Sequence, residues 1–83
     1  MDEINWPPNV IKANYIAETI RQRIADGTYP PDTPVPSEHA LVQEFGVARG
    51  TARKALRRLV DAGDAYVVRG LGTFVTPPPA EKS

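Results

Sequence analysis

Three helix-periodic segments followed by two short β-prone runs predict a mainly α domain with a small β-hairpin, a winged helix-turn-helix of three helices plus a two-stranded wing. Three observations carry this expectation. Apolar residues recur at helical spacing in each segment between positions 10 and 60. "FGV" at 45–47 joins the second and third segments through a single glycine, as a tight helix-turn-helix link requires. "AYVVRGLGTFV" at 65–75 sets two extended runs around Gly70-Leu71-Gly72, a glycine-rich hairpin tip.

Each element has its own signals. Residues 1–8 read as a loose N-terminal arm closed by Pro7-Pro8, with Trp6 expected to pack onto the domain. Asn9 is placed to cap a first helix over 10–26, in which Ala13, Ile16, Ala17, Ile20 and Ile24 share a face and Gly27 marks the end. "TYPPDTPVPSE" holds four prolines in eleven residues and reads as an extended connector, with Val35 at most in a one-bridge edge strand. Ser37 is a strong N-cap and Glu38 a first-turn acid for a second helix over 38–45. A third helix over 49–62 turns Ala52, Ala55, Leu56, Leu59 and Val60 inward as one narrow stripe, ending at Gly63. Strands are expected at 66–69 and 73–76. Residues 9–76 form the winged-helix domain on this reading, and 77–83 a proline-rich tail or the start of a linker.

Composition narrows the function. Without cysteine there is no disulfide, zinc-thiolate site or thiol catalysis. His39 is the lone histidine and has no partner for a metal site. Ser37, Glu38 and His39 are consecutive on a helix, so their side chains diverge and form no relay. Gly70-Leu71-Gly72 joins two strands and opens no helix, so it is not a phosphate loop. The chain therefore reads as a non-enzyme with no cofactor and no metal. The acidic N-terminus lacks an apolar signal core, and no run is long enough to span a bilayer.

The charge is uneven. Ten basic and ten acidic residues cancel overall, yet 45–72 carries six basic residues against Asp61 and Asp64, a local charge of +4. On the predicted third helix, Gly50, Arg53, Lys54, Arg57 and Arg58 lie opposite the apolar stripe. Asp61, four residues after Arg57, is the one acid at i±4 of this face, so the face is expected to be largely unpaired, and arginine matches guanine edges and phosphates bidentately.

"VPSEHALVQEFGVARGTARKALRRLVDAG" at 35–63, followed by "GLGTFV" at 70–75, closely resembles the DNA-binding domain of the GntR family of bacterial transcription regulators. The resemblance covers roughly 16–75, with unbroken spacing from the Pro-Ser-Glu motif to the wing. It implies a sequence-specific regulator that binds double-stranded DNA in the bacterial cytoplasm, at the nucleoid. On it, Arg49 and Arg53 match recognition-helix arginines that reach base edges. Thr51 matches a hydroxyl near the backbone, and Gly70 a wing-tip glycine at the minor groove. Gly50 belongs to the same interface. Lys54 and Arg57 are candidate backbone contacts, Arg58 a solvated residue. Ser37 at the second-helix N-terminus meets phosphate, and Arg69 beside the wing glycine is suited to entering a minor groove.

Several positions depart from the family pattern. His39 stands where arginine is usual, so one DNA contact is expected to be weaker or pH-dependent. Ala48 replaces a serine or threonine cap worth ~1 kcal/mol. Asp64-Ala65 replace two apolar residues, which predicts a less well packed junction into the wing. Asp32 replaces a turn glycine, and Val67-Val68 lie where the wing is often basic. Together they predict lower affinity or altered sequence preference. A winged-helix protein-interaction module with weak or no DNA binding is the alternative. A palindromic operator would call for two copies, hence a weak homodimer; no small-molecule effector site is expected in this chain.

Overall fold

The computed structural model describes residues 8–78. It contains α1 (Pro8–Ala25), α2 (Glu38–Phe45), α3 (Arg49–Asp61), β1 (Ala65–Val68) and β2 (Gly72–Val75). The three helices and the antiparallel hairpin are those the sequence predicts, with boundary shifts of one or two residues. The largest shift is at the start of α1. Asn9 is not the cap: the helix begins at Pro8, where a proline gives up no intrahelical hydrogen bond and its fixed φ suits the first turn. Trp6 and the end of the proline tail lie outside the described residues.

One apolar core joins all parts. Ala13, Ile16, Ala17 and Ile20 of α1 meet Leu41 of α2 and Ala52, Ala55 and Leu59 of α3, while Val35, Ala65 and Val75 close the hairpin side. Ile16, Ile20, Leu41 and Leu59 are at most 1% exposed, and each such side chain contributes about 1.5–3 kcal/mol by leaving water. Leu56 and Val60, expected fully inside, are half-buried at the core's edge.

The helix ends follow the sequence chemistry. Ser37 Oγ accepts from the Ala40 amide at 3.1 Å, and Glu38 fills the first turn of α2. Gly46 closes α2 with φ 64°, its amide donating to Val42 O at 2.9 Å. At the end of α3 the Asp64 amide reaches Leu59 O at 2.8 Å and the Gly63 amide reaches Val60 O at 3.0 Å, a six-to-one and five-to-two pair that needs a left-handed residue at Gly63, φ 86°. Ala48 holds the N-cap position of α3 and makes no side-chain cap bond, as its methyl group dictates.

The proline connector docks beside β2 through the few amides it has. Asp32 N donates to Val75 O at 2.8 Å and Val35 N to Thr73 O at 3.0 Å, while Val75 N returns a bond to Thr33 O at 2.9 Å. The single bridge recorded there pairs Pro34 with Phe74. Four missing proline donors explain why no third strand propagates. β1 and β2 pair Ala65 with Val75, Tyr66 with Phe74, Val67 with Thr73 and Val68 with Gly72.

One expectation about packing is corrected, and a second departure from the family pattern acquires a role. Asp64 does not loosen the wing junction: its Oδ2 accepts from Arg21 Nε at 2.8 Å, tying the junction to α1, and Ala65 is buried. Asp32, with φ 63°, is the one described non-glycine residue in the left-handed region. Its carboxylate accepts from the Tyr66 hydroxyl at 2.6 Å, so the side chain that replaces glycine clamps the connector to β1.

Candidate nucleic-acid interface

The exposed side of α3 is built by its helical period. Arg49, Arg53 and Arg57 follow at four-residue spacing and form one row, and all three are exposed. Gly50 lies beside that row, open, with no atom within 4 Å of where a Cβ would stand. Lys54 is exposed a quarter-turn further round. Arg58 is rotated further still, and it borders a depression with Asn14, Glu18 and Arg21 of α1. The structure thus separates Arg58 from the row, in keeping with a solvated role.

The row faces the other predicted parts. A shallow groove runs between α3 and the wing, lined by Arg53, Leu56 and Arg57 on one side and by Val67 and Thr73 on the other, with Glu38 at its end. A second groove continues from Ser37 and Glu38 past Leu56 to Leu71 and Gly72 at the wing tip. The N-terminus of α2, the row on α3 and the wing therefore lie on one surface. Ser37 and His39 are exposed at the start of α2. At the tip, Arg69, Gly70 and Leu71 are exposed; the Leu71 amide donates to Val68 O at 2.9 Å, and Gly70, φ 82°, turns the chain.

Thr51 does not sit with these residues. It is 7% exposed, while Arg49, Arg53 and Arg57 are exposed. The helical period contains this result, since position 51 lies within one row of Ala52 and Ala55.

One member of the surface escaped the sequence reading. Glu38 Oε2 accepts from Arg53 Nε at 2.9 Å and Oε1 from Arg53 Nη2 at 3.4 Å. The hydrogen bond from Arg53 is the main cause that holds the Glu38 carboxyl below the usual carboxylate range; desolvation opposes it, and the charges of Arg53 and Arg49 add to the lowering in smaller measure. The same bond raises Arg53 above its ordinary value. Arg53 is therefore paired where the i±4 argument expected no partner: the partner comes from the neighbouring helix. Arg49, Lys54, Arg57, Arg58 and Arg69 take part in no ion pair among the described residues. The described residues contain no group of three or more His, Cys, Asp or Glu placed to hold a metal ion, and no helix long and apolar enough to cross a membrane.

Comparison with known proteins matches the same span. The family model for bacterial regulatory proteins of the gntR family matches residues 12–75. The HTH-type transcriptional repressor NagR of Bacillus subtilis (strain 168) is 41% identical over 68 residues, 82% of this chain and 28% of that protein. The mannosyl-D-glycerate transport/metabolism system repressor MngR of Escherichia coli (strain K12) is 47% identical over 60 residues, 72% of this chain and 25% of that protein. The chain thus spans about a quarter of the length of these curated relatives. Among solved structures, the AraR DNA-binding domain in complex with operator ORR3 superposes with a TM-score of 0.75 at 41% identity, covering 92% of this chain and 87% of that one.

Proposed function

The chain belongs to the gntR family of bacterial regulatory proteins, and on that premise we propose that it is a sequence-specific double-stranded-DNA-binding transcription regulator. α3 enters the major groove, where Arg49 and Arg53 meet base edges and Lys54 and Arg57 meet phosphates. The amides at the start of α2, with Ser37 and His39 beside them, face the backbone. The wing places Arg69 and Gly70 at the flanking minor groove. Gly50 leaves room for the DNA backbone to come close to α3, and Thr51 contributes mainly by packing. The role is binding, with no catalytic step. A palindromic operator is bound by two copies.

The observation that carries this reading is the single surface formed by the arginine row of α3, the start of α2 and the wing. Its likeness to a domain solved on operator DNA supports it. Selection of a bound sequence from random duplexes, followed by gel-shift titration of Arg49→Ala and Arg53→Ala, tests it. A guanine pair is worth ~1–3 kcal/mol, so each variant should lose about tenfold or more in affinity and relax the preference at one position. Wild-type affinity and preference in both variants would overturn the assignment. An absence of duplex binding at low salt would favour the protein-interaction module instead.

A further inference from the structure

Away from the DNA-facing surface, an apolar groove of about 320 Å³ lies between the start of α1 and the end of α2. Ile11, Lys12, Tyr15 and Ile16 of α1 line it, with Phe45 of α2 and Val47 of the turn. It shares no residue with the two grooves beside the wing. Two of its large side chains are left in water: Ile11 is 51% exposed and Tyr15 66%. The Tyr15 ring meets the Phe45 ring edge-on at 82°, centroids 6.2 Å apart, which gives the groove an aromatic wall. Ile11 and Tyr15 are four residues apart on one face of α1, and helical side chains lean toward the N-terminus of their own helix. Both therefore lean toward the point where residues 1–7 join the helix at Pro8.

We propose that this groove is the docking site of the N-terminal arm, with the Trp6 indole as its occupant. The register is that of a hydrophobic staple. With Pro8 as the first helical residue, Trp6 is the second residue before it and Ile11 the fourth of the helix, the two positions that pack together across a helix start. The reach suffices: Trp6 is two residues from Pro8, at most ~7 Å along an extended chain, and Ile11 is one helical turn beyond Pro8. Trp6 and Pro7 are each followed by proline, which disfavours helical backbone at both, so little entropy is lost in directing the arm. Charge agrees with this placement. Asp2 and Glu3 precede Trp6, α1 has no acid in its own first turn, and Lys12 lines the groove. An indole over Ile11, Tyr15 and Phe45 takes their apolar surface out of water and braces Val47, the middle residue of the link between α2 and α3.

Trp6 is the lone tryptophan, so its fluorescence reports this contact alone. In the folded chain its emission should lie to the blue of its value in urea, and acrylamide should quench it less. Nuclear Overhauser contacts should join the indole to the Ile11 methyl groups and to the Tyr15 and Phe45 rings. Tyr15→Ser, at an exposed position, should move the emission to the red while circular dichroism shows the fold intact. Trp6→Ala should lower the folding equilibrium constant about five- to tenfold, and Ile11→Ala should cost less stability in the Trp6→Ala background than in wild type. Emission equal to that in urea, Overhauser contacts only to other parts of the domain, or fully additive effects of Trp6→Ala and Ile11→Ala would each overturn the proposal. So would a blue shift that grows with protein concentration, since the groove would then be filled by a second copy.

Discussion

Ala48→Ser should stabilise the domain, and the protein contains its own calibration for the change. Ala48 has φ −70° and ψ 155°; Ser37, which caps α2, has φ −75° and ψ 170°. The two backbones are nearly alike, so a serine hydroxyl at 48 can reach the α3 amides as Ser37 Oγ reaches the Ala40 amide at 3.1 Å. A good N-cap is worth ~0.5–2 kcal/mol over alanine. The gain at 48 should fall in the lower half of that range. The corresponding amide, that of Thr51, already makes a tight-turn bond to Ala48 O at 3.0 Å, so it is not wholly unsatisfied. A gain of about 0.5–1 kcal/mol in a domain of this size raises Tm by roughly 2–8 °C. Thermal and urea unfolding followed by circular dichroism, with Ser37→Ala alongside, provide the measurement. Ser37→Ala should lose about 1 kcal/mol. If Ser37→Ala falls as expected and Ala48→Ser does not rise, α3 does not lack a cap, and the explanation of Ala48 as a weak point in the recognition helix is refuted.

Two further outcomes follow from backbone geometry. At Asp32 the φ of 63° strains any side chain; Asp32→Ala and Asp32→Gly both lose the bond to Tyr66, but only glycine relieves the strain, so urea titration should find the alanine variant less stable by about 1 kcal/mol. Equal stabilities would mean that φ at 32 carries no cost. Gly50→Ala has open space for its methyl group and should stabilise α3 by about 0.5–1 kcal/mol while weakening binding to the selected duplex, so Tm and affinity should move in opposite directions. Gains in both would remove Gly50 from the interface.

The helices were legible because their ends are written locally. Ser37-Glu38, Gly46 and Gly63 each act within one turn, so the bounds of α2 and α3 followed from residue type. The start of α1 was misplaced because two prolines and an asparagine offered rival signals, and only geometry chose Pro8. The functional surface was half legible. The arginine row follows from helical period alone. Its acid partner does not: Glu38 and Arg53 are fifteen residues apart and on different helices, whereas the i±4 test sees only one helix. The same holds for Arg21 and Asp64, forty-three residues apart. A sequence test that sets first-turn acids of the second helix against cations in the first two turns of the third would have found the first pair, since the turn brings these parts of the two helices together.

Net charge misleads here for a related reason. The chain is neutral, yet its acids are not distributed to neutralise α3. Glu18 and Asp64 are held by Arg21, and Glu44 is held by Arg23 through both guanidinium nitrogens, with Tyr29 as a further partner. Asp26 accepts from Thr28, and Asp32 from Tyr66. Apart from Glu38, the acids in these contacts lie on α1, on the far end of α2 or in the connectors. At physiological salt a charge is screened beyond about 8 Å, so acids bound elsewhere subtract little from the field over Arg49, Lys54 and Arg57. Two acids border that face: Glu38, bonded to Arg53, and Asp61, which stands four residues after Arg57 on α3 and lines the groove with Arg53 and Arg57. The sum of charges is therefore compatible with a cationic reading face. The positions of these two acids, more than the total, set the charge of that face.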